Sequence, residues 1–131
     1  MSIKSNRHSI YDLQYRLVVV SKYRKKVFNK EIQNKLYDIA KNIIENKNKG
    51  QIIEFNTDLD HVHILFSVGP QIQLSKLINS FKTVSSRLIR KDYKNYLDKF
   101  YSKNLFWSNS YYIGSVGNTN KDTIINYIKN Q

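Results

Sequence analysis

The chain has 131 residues, enough for one domain with a real core, and its 40% hydrophobic content is ordinary for a globular protein. Lys and Arg total 22 against 10 Asp and Glu, a net charge of +12 that favours a polyanionic partner, most simply nucleic acid. There is no cysteine, which excludes disulfides and thiolate metal sites and fits a reducing cytoplasm. No apolar run approaches the ~18 residues of a bilayer span, and Met1 to Ser9 lacks the apolar region of a signal peptide. A basic membrane-surface protein is the competing reading of the charge. Part of the Lys, Asn and Ile richness could equally reflect compositional drift.

In chain order, Met1 to Ser9 reads as a polar arm and Tyr11 to Val20 as a strand. Leu17, Val18, Val19 and Val20 are apolar on both faces, so the end of that strand should be covered on both sides. A basic knot follows, Lys22, Tyr23, Arg24, Lys25 and Lys26. It is either a solvated turn or a phosphate contact with Tyr23 available to stack on a base. Lys30 to Asn48 has helical spacing of Ile32, Leu36, Ile39, Ala40, Ile43 and Ile44, with Gly50 as a break. Gln51 to Thr57 is a second strand in which Ile53 and Phe55 alternate, and Asp58 and Leu59 turn it into a hairpin.

The partner in that hairpin is Asp60 to Val68. Val62, Ile64, Phe66 and Val68 point one way, His61, His63, Leu65 and Ser67 the other. Two imidazoles side by side are either half-buried polar residues or a metal clamp. Gly69 and Pro70 end the hairpin, and Gln73 to Asp92 is a second helix with Lys76, Lys82, Arg87, Arg90 and Lys91 around its apolar stripe. Arg87 and Arg90 are further candidates for DNA contact. Tyr93 to Lys103 reads as loop with a helical turn, and Ser110 to Val116 as a fourth strand. Gly114 and Gly117 could act as a hinge. Thr119 to Asp122 has the form of a capping box opening a last helix anchored by Ile124, Ile125 and Ile128.

The order strand, helix, strand, strand, helix, strand, helix predicts an α+β, ferredoxin-like (RRM-like) antiparallel sheet. Two helices cover one face, and an additional C-terminal helix follows. Residues 1–131 form one domain, with a core over 9–117 and the C-terminal helix over 118–131. If Val62, Ile64 and Phe66 face the helices, His61 and His63 lie on the open face.

On the last helix Tyr127 and Gln131 are four apart and share a side. Tyrosine can attack a phosphoryl group, although its ordinary pKa near 10 requires help from a base or cation. A divalent ion on two imidazoles could polarise a phosphate, with Gln131 as a neutral third ligand. Two nitrogens suit manganese, whereas availability favours magnesium. Tyr127 could equally be an aromatic packed on the sheet.

At these residues the chain resembles the single-tyrosine HUH transposases of small insertion sequences, the IS200/IS605-like family. The likeness runs through Lys22-Tyr23-Arg24, the Thr57 to Ile64 hairpin, Leu105-Phe106-Trp107, Val116-Gly117 and Tyr127 to Gln131. It implies that Tyr127 becomes linked to a DNA 5′ end, freeing a 3′ hydroxyl, and that His61, His63 and Gln131 hold the metal (Mg2+ or Mn2+). It also implies a homodimer that binds single-stranded DNA with subterminal hairpins, its last helix completing the partner's site. A phosphotyrosine conserves the broken bond's energy, in keeping with the lack of a P-loop pattern. Two other readings are a rolling-circle initiator or relaxase, usually a longer chain, and a non-catalytic RNA-binding domain that stacks bases on sheet aromatics.

Overall fold

A computed structural model describes residues 4–5, 10–117 and 120–131, and of residues 4, 5, 10 and 11 the backbone. Two short strands, β1 (Lys4–Ser5) and β2 (Ile10–Tyr11), pair antiparallel, so part of the expected polar arm is in a small ribbon. The main sheet holds β3 (Gln14–Val20), β4 (Gln51–Thr57), β5 (His61–Ser67) and β6 (Tyr112–Ser115), in the order β4-β5-β3-β6 with all neighbours antiparallel. With α1 (Lys30–Lys41) between β3 and β4, and α2 (Leu74–Asp92) between β5 and β6, this is the ferredoxin-like arrangement.

Local chemistry explains the helix limits. Asn29 caps α1 by accepting the Ile32 N–H at 2.9 Å, and Ile32, Leu36, Ile39 and Ala40 form its buried stripe. The helix does not run evenly to Asn48; Asn42–Lys47 widens into a π-helical turn in which adjacent Ile43 and Ile44 are both buried. Gly50 ends it by necessity, since a Cβ there would lie 2.5 Å from the Ser67 carbonyl oxygen. The ambiguous stretch after α2 contains one helical turn, α3 (Lys94–Leu97). The last helix, α4 (Lys121–Lys129), is capped by Asn120, which accepts the Thr123 N–H at 2.8 Å. Thr119 of the expected capping box lies outside the described residues.

Val62, Ile64, Phe66 and Val68 join Leu17, Val19 and the α1 and α2 stripes in one core. One expected phase is wrong. A bulge between Ile52 and Glu54 slips the pairing, leaving Ile53 41% exposed while Ile52 and Phe55 pack on the core. One extra residue in a strand flips the faces of everything beyond it.

The segment before β6 is pinned from inside. Trp107 is buried among Phe28, Phe81 and Phe106, and its indole N–H donates to Ser85 Oγ at 2.9 Å. Trp107 forms a bridge with Ser21, and the Ser108 N–H donates to the Val20 carbonyl at 2.7 Å. The chain from Trp107 to Ser110 thus continues the edge of the sheet beside the end of β3.

Candidate active site

Directly opposed residues of an antiparallel sheet project to the same face. Val20 opposes His61, and Val18 opposes both His63 and Tyr112, so these five side chains share the face turned away from α1 and α2. Val18 and Val20 are fully buried there, although neither belongs to the main core. The Tyr127 ring of α4 packs 6.0 Å from the Tyr112 ring, so α4 lies over this corner of the sheet. The doubly apolar strand end is covered on both sides, as its sequence predicts.

The end of α4 is held by hydroxyls of its own chain. The Tyr127 hydroxyl is 2.8 Å from Ser110 Oγ. Gln131 Oε1 accepts from Ser108 at 2.8 Å and from Ser110 at 3.1 Å, while Gln131 Nε2 donates to the Tyr127 carbonyl at 3.2 Å. The terminal residue is therefore docked rather than frayed. Neither Tyr127 nor Gln131 hydrogen-bonds either histidine; from Ser108 across β3 to His61 is two strand spacings, roughly 10 Å. Burial pushes the Tyr127 pKa up, and the Ser110 hydrogen bond only partly offsets it, so the resting hydroxyl is protonated.

The histidines differ. His61 Nδ1 lies 2.8 Å from Asp60 Oδ1, and the other Asp60 oxygen is 3.4 Å from Arg24 Nε. A carboxylate on Nδ1 fixes the ring and leaves Nε2 with the free lone pair. His63 Nε2 is buried without a hydrogen-bond partner. Burial, then the Arg16 guanidinium, hold the His63 pKa below the ordinary histidine range, so it is neutral. A neutral, unpartnered imidazole is the form a metal ion requires. No group of three His, Cys, Asp or Glu placed to hold a metal ion occurs among the described residues. The two imidazoles offer nitrogen ligands and the Gln131 amide offers an oxygen of the kind that suits Mg2+ or Mn2+, although in this arrangement Ser108 and Ser110 engage that oxygen.

The basic knot occupies a strained turn. Tyr23 (φ 58°) and Arg24 (φ 53°) are consecutive non-glycine residues in the left-handed region, each costing about 1–3 kcal/mol. Lys25 and Lys26 are exposed, and the Lys22 ammonium lies 5.3 Å from the Tyr23 ring centroid. Beside it, α2 and residues 104–109 enclose a groove of about 750 Å³ that both Arg87 and Arg90 line. Arg87 is exposed, whereas Arg90 donates to the Leu105 carbonyl at 2.6 Å and to Asn104 at 3.2 Å. Arg90 thus already serves as a clasp on the loop. Lys82 does the same, donating to the Ser108 carbonyl at 2.8 Å and the Ser110 carbonyl at 3.3 Å. Sequence reading missed Ser108 and Ser110 and the role of Lys82 as a clasp, because nothing in spacing links them to residues some twenty positions away.

Residues 9–131 match the family model described as "Transposase IS200 like". The chain is 31% identical over 131 residues to the ISDra2 transposase TnpA of Deinococcus radiodurans, covering all of this chain and 92% of that protein. It is 30% identical over 128 residues to the transposase for insertion sequence element IS200 of Salmonella typhimurium, covering 98% and 82%. A crystal structure of a candidate transposase from Deinococcus radiodurans superposes with a TM-score of 0.87 at 26% identity, covering 98% of this chain and 97% of that one. A REP-associated tyrosine transposase bound to a REP hairpin superposes with a TM-score of 0.56 at 12% identity, covering 98% and 68%, a likeness of fold alone. Matched over nearly its whole length in both sequence and fold, the chain belongs to the IS200-like transposase family.

Proposed function

We propose that this transposase cleaves and rejoins single-stranded DNA through Tyr127. The observation that carries the reading is that Tyr127, with Gln131 beside it, packs on Tyr112 of the same sheet face that carries His61 and the unpartnered His63. The Tyr127 oxygen attacks the scissile phosphorus and loses its proton. The bond from phosphorus to the 3′ oxygen breaks, and that oxygen leaves as a hydroxyl. The 5′ phosphate stays on Tyr127 until another 3′ hydroxyl attacks it and restores the tyrosine. His61, His63 and Gln131 would hold a divalent ion, which when bound supplies positive charge to the phosphate oxygens.

For DNA contact the candidates are Lys22, Tyr23, Arg24, Lys25 and Lys26 on the turn and Arg87 and Arg90 in the groove, and affinity should fall steeply with salt. The hairpin carried by the REP-associated transposase supports a hairpin as this protein's partner too. A homodimer with sites formed in trans fits the engagement of the Tyr127 hydroxyl and the Gln131 oxygen by serines of their own chain. In a trans site these atoms leave the serines and reach the partner's histidines.

The test is covalent capture. The protein is incubated with hairpin DNAs carrying single-stranded flanks and a divalent metal, then denatured. A protein–DNA adduct is expected from wild type and none from Tyr127→Phe; no adduct across flanks and metals overturns the reading. Mixing Tyr127→Phe with His61→Ala chains decides the architecture. Trans sites restore adduct in the mixture, on the His61→Ala chain, whereas cis sites leave it inactive.

A further inference from the structure

The geometry points to Tyr23 as a stacking platform for one unpaired nucleobase next to the candidate cleavage site. The inference rests on single-stranded DNA being the substrate. Tyr23 is 66% exposed, more than any other large hydrophobic side chain among the described residues. An idle surface turn would relax its backbone or carry glycine or asparagine at positive φ. Here two non-glycine residues stay left-handed because other parts of the chain hold the turn. The Lys22 N–H donates to the Phe106 carbonyl at 2.8 Å, and the Tyr101 hydroxyl donates to the Lys22 carbonyl at 2.7 Å. The Ser21 N–H donates to the Asp60 carbonyl at 2.9 Å, and Ser21 Oγ donates to the Lys25 carbonyl at 2.6 Å. The framework therefore holds an aromatic ring out in water at a conformational cost, which is the preorganisation expected of a binding contact.

Its surroundings define the ligand. Stacking accepts any base, and the phosphates flanking a stacked base would meet Lys22, Lys25 and Lys26. Position ties the platform to the site. Arg24 joins Asp60 at 3.4 Å, and Asp60 joins His61 at 2.8 Å, so the turn and the histidine strand move as one body. A base on Tyr23 would lie within a few nucleotides of a phosphate at the histidines and would fix where along the strand cleavage falls.

The probe is a DNA hairpin with an oligothymidylate flank about a dozen nucleotides long, carrying one abasic residue moved along the flank. Wild type should lose about tenfold in affinity when the abasic residue reaches one particular position. Tyr23→Ala should lose a similar amount on intact DNA and ignore the abasic residue everywhere. Tyr23→Trp should keep the wild-type profile. Tyr23→Gly relieves the positive φ, so its Tm should hold or rise while affinity falls about tenfold, a combination that a merely structural tyrosine would not produce. Wild-type affinity in Tyr23→Gly, a flat abasic profile in wild type, or no binding of the probe at low salt would each overturn the assignment. Tyr127→Phe, which forms no adduct, should keep the abasic profile. Adduct formation by wild type with a flat profile would refute the platform alone; the profile without any adduct would refute Tyr127 chemistry alone.

Discussion

The two faces of the main sheet are made from alternate residues of the same strands, yet they are closed by different means. On one, Val62, Ile64 and Phe66 meet the stripes of α1 and α2, and contact between apolar side chains does the work. On the other, Val18, Val20, His61, His63 and Tyr112 lie beneath or beside a short helix whose end is tied down by Ser108 and Ser110. The first face leaves little polar chemistry unsatisfied. The second keeps a buried imidazole nitrogen with no partner and a tyrosine hydroxyl held by one serine. The apolar core lies on one side of the sheet and the candidate reactive groups on the other, one residue apart along each strand.

Substitutions that act on one face and spare the other test this division. Replacing His61 and His63 together by Ala should lower DNA cleavage by about a thousandfold or more while hairpin binding and Tm stay near wild type, as checked by adduct assay, gel shift and thermal melting. Loss of fold in that variant would show that the second face also carries stability. The opposite pattern is expected from Phe66→Ala on the core face. It should cost about 3–5 kcal/mol by urea unfolding, with little effect on the activity of whatever protein remains folded.

Asp60→Asn sharpens the comparison within the second face. It leaves the shape but removes the charge that orients His61 and pairs with Arg24, so metal affinity should fall about 10- to 100-fold by isothermal titration. An unchanged affinity would mean that Asp60 serves the turn and not the imidazole.

The smallest effect is in pH. The His63 pKa is lowered by burial, then by Arg16, with Glu54 opposing and His61 adding slightly. Below the ordinary histidine value of about 6.5 the unfolded chain takes up a proton that folded His63 refuses. Metal-free protein should therefore lose stability as pH falls from about 6.5 toward the lowered folded value. In His63→Leu this part of the slope should disappear, as denaturant melts across that range would read.

The elements of this fold were legible because their signals are local. The alternation of residues 60–68 put the histidines opposite the core residues, and Tyr127 fell on the last helix as expected, whereas Gln131 follows the end of that helix at Lys129 and is placed by its side-chain hydrogen bonds. The order of elements led to the ferredoxin-like sheet for the same reason, since each segment buries its own apolar face. Where a local signal was lost, the reading slipped: the bulge in β4 reversed the phase of Ile53 without altering its composition.

What only the tertiary structure decided concerns groups far apart in sequence. Ser108 and Ser110 became partners of Tyr127 and Gln131 because Trp107, anchored on Ser85, lays that segment along the end of β3. Asp60 bridges His61 to Arg24 because the β4–β5 turn rests against the turn after β3. Hydroxyls, carboxylates and lysines leave no periodic trace in a sequence, since a hydrogen bond depends on where two backbones meet in space. Apolar burial, by contrast, repeats with the period of each element and so can be read from the chain itself.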